Sequence, residues 1–331
     1  MEIYYALALT AISLNFLINN HKILSLILTF FMVLIAAFRF NVGTDYESYV
    51  EIIKNIDNQN SDRGIEYIFT ILVKLIQNFS INNPEYIVIS VYALLTGFII
   101  LILIKKLNYS PNFIYTYIFL SPFYLQSFNL IRLYVAVPII WYVFLEKPRF
   151  FLYVLLVILA TSFHYSAIIL LVFYPFLFFN IRIEFKILTI PIIIFSQLFI
   201  SKIIPDYYNF YISKDNINYN YNFLLILLFG WIYTEMHRLN VEYLFIRNLS
   251  FFALLSAIIS IFLNIQPELI YRYSLYFSIY IPLIMSVATI DYSLESLIKK
   301  ITCRIILPIL FLFSLHQTGL FYKLVPYQTF I

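Results

Sequence analysis

The sequence predicts an all-α fold, a polytopic transmembrane helical bundle of about 12 spans, and three observations predict it. Of 331 residues, 63% are hydrophobic and 11% charged, with a mean hydropathy of +0.89. A soluble domain of this length has no interior for so much apolar surface. Apolar runs of about 17 to 21 residues recur from one terminus to the other, the length a helix needs to cross the hydrocarbon layer. Basic residues stand in ones and twos at the ends of those runs, the pattern that orients membrane helices.

The first run, 3–19, follows Met1 and Glu2 with no basic segment before it and no small-residue cleavage site after it. It is therefore expected to be a mature span rather than a signal peptide. Placing His21 and Lys22, Lys105 and Lys106, Lys147 to Arg149, Arg182 to Lys186, His237 to Arg247, and Lys299 to Arg304 inside requires an even number of crossings between them. The expected spans are 3–19, 23–38, 84–104, 111–131, 133–146, 150–163, 166–180, 187–203, 223–237, 243–263, 272–290 and 305–322, with both termini outside. Together they make one integral membrane domain over 1–331.

Two features depart from regular spans. Residues 64–80 repeat apolar side chains at helical spacing (Ile65, Ile68, Phe69, Leu72, Leu75, Ile76, Phe79), with Glu66, Thr70, Lys74 and Gln77 between them. That pattern predicts a helix lying in the interface, within an outer region 39–83. The runs 133–146, 150–163 and 166–180 are too short to span as ordinary helices. Short pieces of this kind line protein-enclosed cavities, where exposed backbone ends find polar company. Arg132 and His164 mark two of the breaks; the competing reading makes 150–180 one tilted helix. A second outer loop, 204–222, carries Tyr207, Tyr208, Tyr211, Tyr219 and Tyr221 among asparagines, which suits sugar stacking or simply a membrane interface.

Four outer segments place polar residues where a helix meets the aqueous edge: Arg39 with Asp45, Tyr46 and Tyr49; Arg132; His164 with Tyr165; and Arg272 with Tyr276. A cation near hydrocarbon costs a few kcal/mol unless it has a partner. A phosphate-bearing ligand supplies one, because the planar guanidinium matches phosphate oxygens with two parallel hydrogen bonds. Snorkelling to lipid headgroups is the plain alternative for Arg39 and Arg272, and a hydrogen-bonded core histidine is the alternative for His164. Asp45 and Glu66 are either solvated carboxylates or partners of Arg39.

Other chemistries have no support in the sequence. With five glycines there is no phosphate-cradling loop or dinucleotide fingerprint, so no cofactor is expected and a substrate would have to arrive activated. The four histidines are dispersed and Cys303 is alone, which offers neither a disulfide nor a metal site. Ser162 and Ser166 flank His164 without the spacing that would specify a nucleophilic triad. The scattered net charge of +4 gives no nucleic-acid footprint.

Three motifs in the same segments resemble the EpsG family of bacterial exopolysaccharide proteins, relatives of Wzy-type O-antigen and capsule polymerases. They are FRFNVGTDYESY (Phe38 to Tyr49) followed by Gly64-Ile65-Glu66-Tyr67; SFNLIRLYVAVPI followed by LATSFHYSAIILL; and YRYSLYF (Tyr271 to Phe277). The proline that the family usually shows after the glutamate is absent at Glu66, and Leu133 stands where a glutamine or glutamate usually follows the central arginine. The resemblance implies a GT-C-like, metal-independent glycosyltransferase in the bacterial cytoplasmic membrane, with its site facing outside. The implied substrate is a polyprenyl-pyrophosphate-linked oligosaccharide, and the implied partners are membrane lipid and a chain-length regulator protein. Under it, Arg132, His164, Arg272 and Asp45 would be catalytic, while Arg39, Tyr46, Tyr49, Glu66, Tyr165 and Tyr276 would bind substrate. Arg132, with Arg272 or Arg39, would clamp pyrophosphate; His164 or Asp45 would be the base. A glycan flippase or exporter, or a membrane acyltransferase acting on the same glycan, are the alternatives.

Overall fold

The computed structural model describes residues 1–56, 65–79, 83–120, 122–179, 189–191, 221–236, 241–262, 267–287, 294–318 and 323–329. Most of the expected span 187–203, the outer loop as far as residue 220, the basic segment Arg182 to Lys186 and Gly64 lie outside these residues. The fold is an all-α bundle, with a single two-stranded ribbon among the described residues. Contacts divide the chain into two compact units, one of residues 1–56, 69–138 and 282–331, the other of 57–68 and 139–281.

In unit 1, α1 (Glu2–Leu17) and α2 (His21–Ala37) form a hairpin, and the side chain of Asn20 caps α2 by accepting from the backbone N–H of Lys22 and Ile23. Such a cap satisfies donors that the first turn otherwise leaves open. The ribbon strand β1 (Arg39–Phe40) and α3 (Tyr46–Lys54) follow, then α4 (Tyr67–Asn78), whose first two residues belong to unit 2. Next comes α5 (Pro84–Lys106), with Pro84 opening it, Glu85 in its first turn, and Lys105 and Lys106 in its last. Each of these suits the helix end where it stands. Among the described residues, α5 alone is long and apolar enough by itself to cross a membrane. Gly97 of α5 meets α2 so closely that any Cβ there would collide with Val33.

The run 111–131 is not one helix. Helix α6 (Pro111–Phe119) ends after nine wholly buried residues, and a 3₁₀ turn (Leu125–Phe128) follows. Pro122 has no N–H to continue an α-helix and disfavours helical backbone before it. α7 (Leu133–Glu146) occupies the expected 133–146 and passes from unit 1 into unit 2 at Pro138.

In unit 2, α8 (Phe150–Phe163) and α9 (Leu170–Phe178) are separated by extended backbone at His164 and a 3₁₀ turn (Tyr165–Ile169). The break at His164 is as expected, and the single tilted helix over 150–180 is ruled out. α10 (Tyr221–Met236) and α11 (Val241–Phe262) match their runs. The run 272–290 does not: α12 (Pro267–Phe277) begins earlier, and after a turn at Ser278 and Ile279 the chain resumes as α13 (Tyr280–Val287). Ser278 Oγ donates to the carbonyl of Leu275 at 2.7 Å, a side-chain bond that competes with the helical ladder. Arg272 accordingly lies inside α12 rather than at the start of a helix. Phe144, Phe173, Phe252 and Phe277 interlock as the aromatic core of this unit, with ring centroids 5.1 to 6.0 Å apart.

The run 305–322 also differs, and this segment belongs to unit 1. Helix begins at α14 (Leu294–Ile301), passes through a π turn at Thr302–Ile306 and continues as α15 (Leu307–Thr318). Lys299 to Arg304 is therefore helical rather than a loop. The chain returns through β2 (Gln328–Thr329), which pairs antiparallel with β1, Arg39 opposite Thr329.

Candidate functional site

The ten residues singled out in the sequence divide evenly. Arg39, Asp45, Tyr46, Tyr49 and Arg132 stand in unit 1; Glu66, His164, Tyr165, Arg272 and Tyr276 stand in unit 2.

In unit 1 the loop of the first motif is built onto the second. Gly43 has φ +104°, and a Cβ there would sit 2.7 Å from Asn129 Oδ1 and 2.9 Å from the carbonyl oxygen of Phe128. Glycine alone meets both demands. The backbone N–H of Thr44 donates to Asn129 Oδ1 at 2.8 Å, and the N–H of Gly43 donates to the carbonyl of Lys323 at 2.9 Å. The glycine-threonine-aspartate-tyrosine loop is thus held by Asn129, which stands three residues ahead of Arg132 in sequence. Gly43→Ala is expected to destabilise the protein by about 2 kcal/mol or more, from the backbone conformation and the clash together. The check is the unfolding transition of the purified variant in detergent.

The loop delivers Arg39 and α3. Arg39 is buried, with its guanidinium carbon 4.6 Å from the centre of the Phe128 ring and its Nε without a hydrogen-bond partner among the described residues. Burial pushes its pKa down to about 10, against the pull of nearby tyrosines, Tyr124 first, so it is charged at neutral pH. The cavity it lines with Tyr92, Tyr117 and Tyr124 measures about 20 Å³, room for one water rather than a sugar. Asp45 stands at the start of α3 and accepts from Thr44 Oγ1 at 3.2 Å. Tyr46 and Tyr49 are buried on α3, and burial pushes the Tyr46 phenol up to about 12.

Arg132 directly precedes α7, its carbonyl accepting from the N–H groups of Val135 and Ala136. Its guanidinium carbon lies 5.3 Å from the centre of the Phe69 ring and 5.7 Å from that of Tyr49. Two aromatic faces hold a cation that the positive end of the helix dipole opposes. Glu85 is a residue that sequence reasoning missed. Its carboxylate is buried in the first turn of α5, with Oε1 3.5 Å from Lys54 Nζ and Oε2 without a hydrogen-bond partner among the described residues. By its place directly after Pro84 at a helix start it has the sequence pattern of an ordinary first-turn acid.

In unit 2, His164 ends α8 and is buried. Its Nδ1 lies 2.7 Å from Ser166 Oγ, which lies 3.0 Å from the Tyr276 hydroxyl, and its Nε2 lies 3.5 Å from Arg272 Nη1. Nδ1 also accepts from the backbone N–H of Ser166 at 3.3 Å, so donors face the ring at both nitrogens, arginine being a donor only. Arg272 and Tyr276 stand four residues apart on α12 and so share a face. Trp141 Nε1 fixes that helix by donating to the carbonyls of Leu275 and Tyr276, at 3.3 and 3.1 Å. The Tyr165 hydroxyl donates to the carbonyl of Ile65 at 3.2 Å, and Glu66 beside it is buried. Trp141 was missed because its bonds reach across more than a hundred residues of sequence, and Ser166, noted only as a flank of His164, was not paired with Tyr276 for the same reason.

The helical fold and its apolar segments are compatible with a membrane protein. No curated protein and no solved structure matches the chain. The EpsG family model matches residues 22–329, nearly its whole length, and the chain belongs to the EpsG family, which makes it an exopolysaccharide-associated protein.

Proposed function

We propose that this chain is a GT-C-like glycosyltransferase that polymerises polyprenyl-pyrophosphate-linked oligosaccharides at the outer face of the cytoplasmic membrane. The observation that carries the proposal is the buried pairing of His164 Nε2 with Arg272 Nη1 at 3.5 Å, a base and a cation side by side. Elongation needs that pair. The bond from the anomeric carbon to pyrophosphate breaks, its electrons leaving with the phosphate. The acceptor hydroxyl forms the new bond to that carbon and gives its proton to His164 Nε2. Before substrate arrives, Arg272 stands against Nε2; an anionic ligand that draws the guanidinium toward itself exposes the base. Proton acceptance at Nε2 requires the neutral ring with its proton on the other nitrogen.

Within unit 1, Arg39 and Arg132 are cations of the kind that pair with phosphate oxygens. Aromatic faces lie beside each guanidinium, and its planar fork is what bidentate recognition of phosphate uses. Asp45, Tyr46, Tyr49, Glu66, Tyr165 and Tyr276 serve sugar hydroxyls or orient the arginines.

Protein reconstituted with polyprenyl-pyrophosphate oligosaccharide alone is expected to lengthen the glycan, and to continue in the presence of a chelator. Product length on a gel is the measurement. A strict requirement for nucleotide or divalent metal would overturn the arginine-based scheme, and transfer of acyl groups instead of sugars would replace it with the acyltransferase.

A further inference from the structure

A second cluster of cations stands in unit 1, apart from the residues considered so far. The π turn at Thr302–Ile306 adds a residue to the helical repeat, and Cys303 and Arg304 in succession are both buried. π turns of this kind recur at functional sites. Arg304 Nε donates to Asn112 Oδ1 at 2.8 Å and Nη1 donates to Asn15 Oδ1 at 2.9 Å. Asn112 Nδ2 in turn donates to the carbonyl of Met285 at 3.1 Å, which orients the amide oxygen toward the guanidinium. Both partners are neutral, so these bonds hold the guanidinium in place without cancelling its charge.

More positive charge gathers around it. Arg304 and Lys300 are the charges acting on the His21 ring, and the neighbouring Lys22 places its ammonium 5.4 Å from the centre of the Tyr109 ring. The Tyr109 carbonyl accepts from Ser25 Oγ at 3.0 Å, tying that loop to α2. Alongside these cations the same helices expose apolar side chains: Ile23 at 47%, Ile298 at 54%, Ile301 at 42% and Ile306 at 42%.

We propose that this basic end of unit 1 binds the phosphate headgroup of an anionic membrane lipid, with the acyl chains lying along the exposed isoleucines. The inference rests on the membrane placement proposed above. A soluble anion would need the cations alone, whereas a lipid accounts for both the charge and the uncovered apolar flank. The basic character of the cluster suits the cytoplasmic leaflet.

The test uses the full-length protein in detergent, with short-chain phosphatidylglycerol, phosphatidylcholine of the same chain length, and inorganic phosphate as probes. Lipid adducts are counted by native mass spectrometry. Phosphatidylglycerol is expected to bind more tightly than phosphatidylcholine, and Lys22→Gln and Lys300→Gln to weaken it about fivefold each, on the scale of one surface cation. Arg304→Gln is expected to weaken it further; should that variant fail to fold, the two exposed lysines decide the matter. Equal binding of the two lipids, or unchanged binding by both lysine variants, would overturn the proposal. Displacement of the lipid by an equal concentration of inorganic phosphate would reassign the site to a soluble anion. None of these readouts depends on elongation, so failure of the polymerase reading and failure of this site would be seen separately.

Discussion

Replacing His164 with alanine is expected to abolish glycan elongation while leaving lipid-linked substrate bound. A positioned base contributes about two to four orders of magnitude, and its removal damages the transition state more than the ground state. The loss should therefore appear in turnover rather than in substrate binding. In cells, single repeat units are expected to accumulate on the lipid carrier at the outer face, where they can be extracted and sized. Accumulation at the inner face would mean that the protein acts before the glycan crosses, and a flippase or exporter would replace the polymerase.

Arg132 should show the second largest effect. Arg132→Lys keeps the charge but loses the planar fork and the fit over the Tyr49 and Phe69 rings. Elongation is expected to fall by about one to two orders of magnitude, on the scale of a charged hydrogen bond of about 1.5 to 3 kcal/mol. Arg132→Ala should be worse, since the positive charge itself is lost. Elongation rates of the three proteins at matched expression are the measurement. A lysine variant as active as the parent would show that charge alone suffices there and would remove the case for bidentate recognition.

The sequence announced the breaks that carry a basic residue. Arg132 and His164 interrupt apolar runs, and both sit at the ends of short helices as expected. The breaks it concealed carry no charge. Leu120 to Phe128 holds Pro122 with the uncharged Ser121, Gln126 and Ser127, and at Ser278 a single hydroxyl turns back on its own helix; neither marks a boundary as a charged residue does. The candidate site divides in the same way. Residue types and their approximate positions were legible because charge in an apolar run is costly wherever it falls. The bonds that position them were not, because they are non-local. Gly43 owes its identity to Phe128 and Asn129, and Ser166 owes its importance to Tyr276, 110 positions away.

The ribbon between β1 and β2 also orders events in time. Arg39 reaches its final register only when Thr329 lies opposite it, and Gly43 gains its acceptor only when the carbonyl of Lys323 is in place. Translation delivers the amino-terminal residues first, at about 5 to 20 residues per second. The loop that carries Arg39 must therefore wait, unpaired along this edge, until almost the whole chain has left the ribosome. A nascent or truncated chain ending before Lys323 would keep the bond from Thr44 to Asn129 but lack the ribbon and the acceptor for Gly43. The loop that carries Arg39 is in this sense among the last parts of unit 1 to be completed, although its arginine is made early.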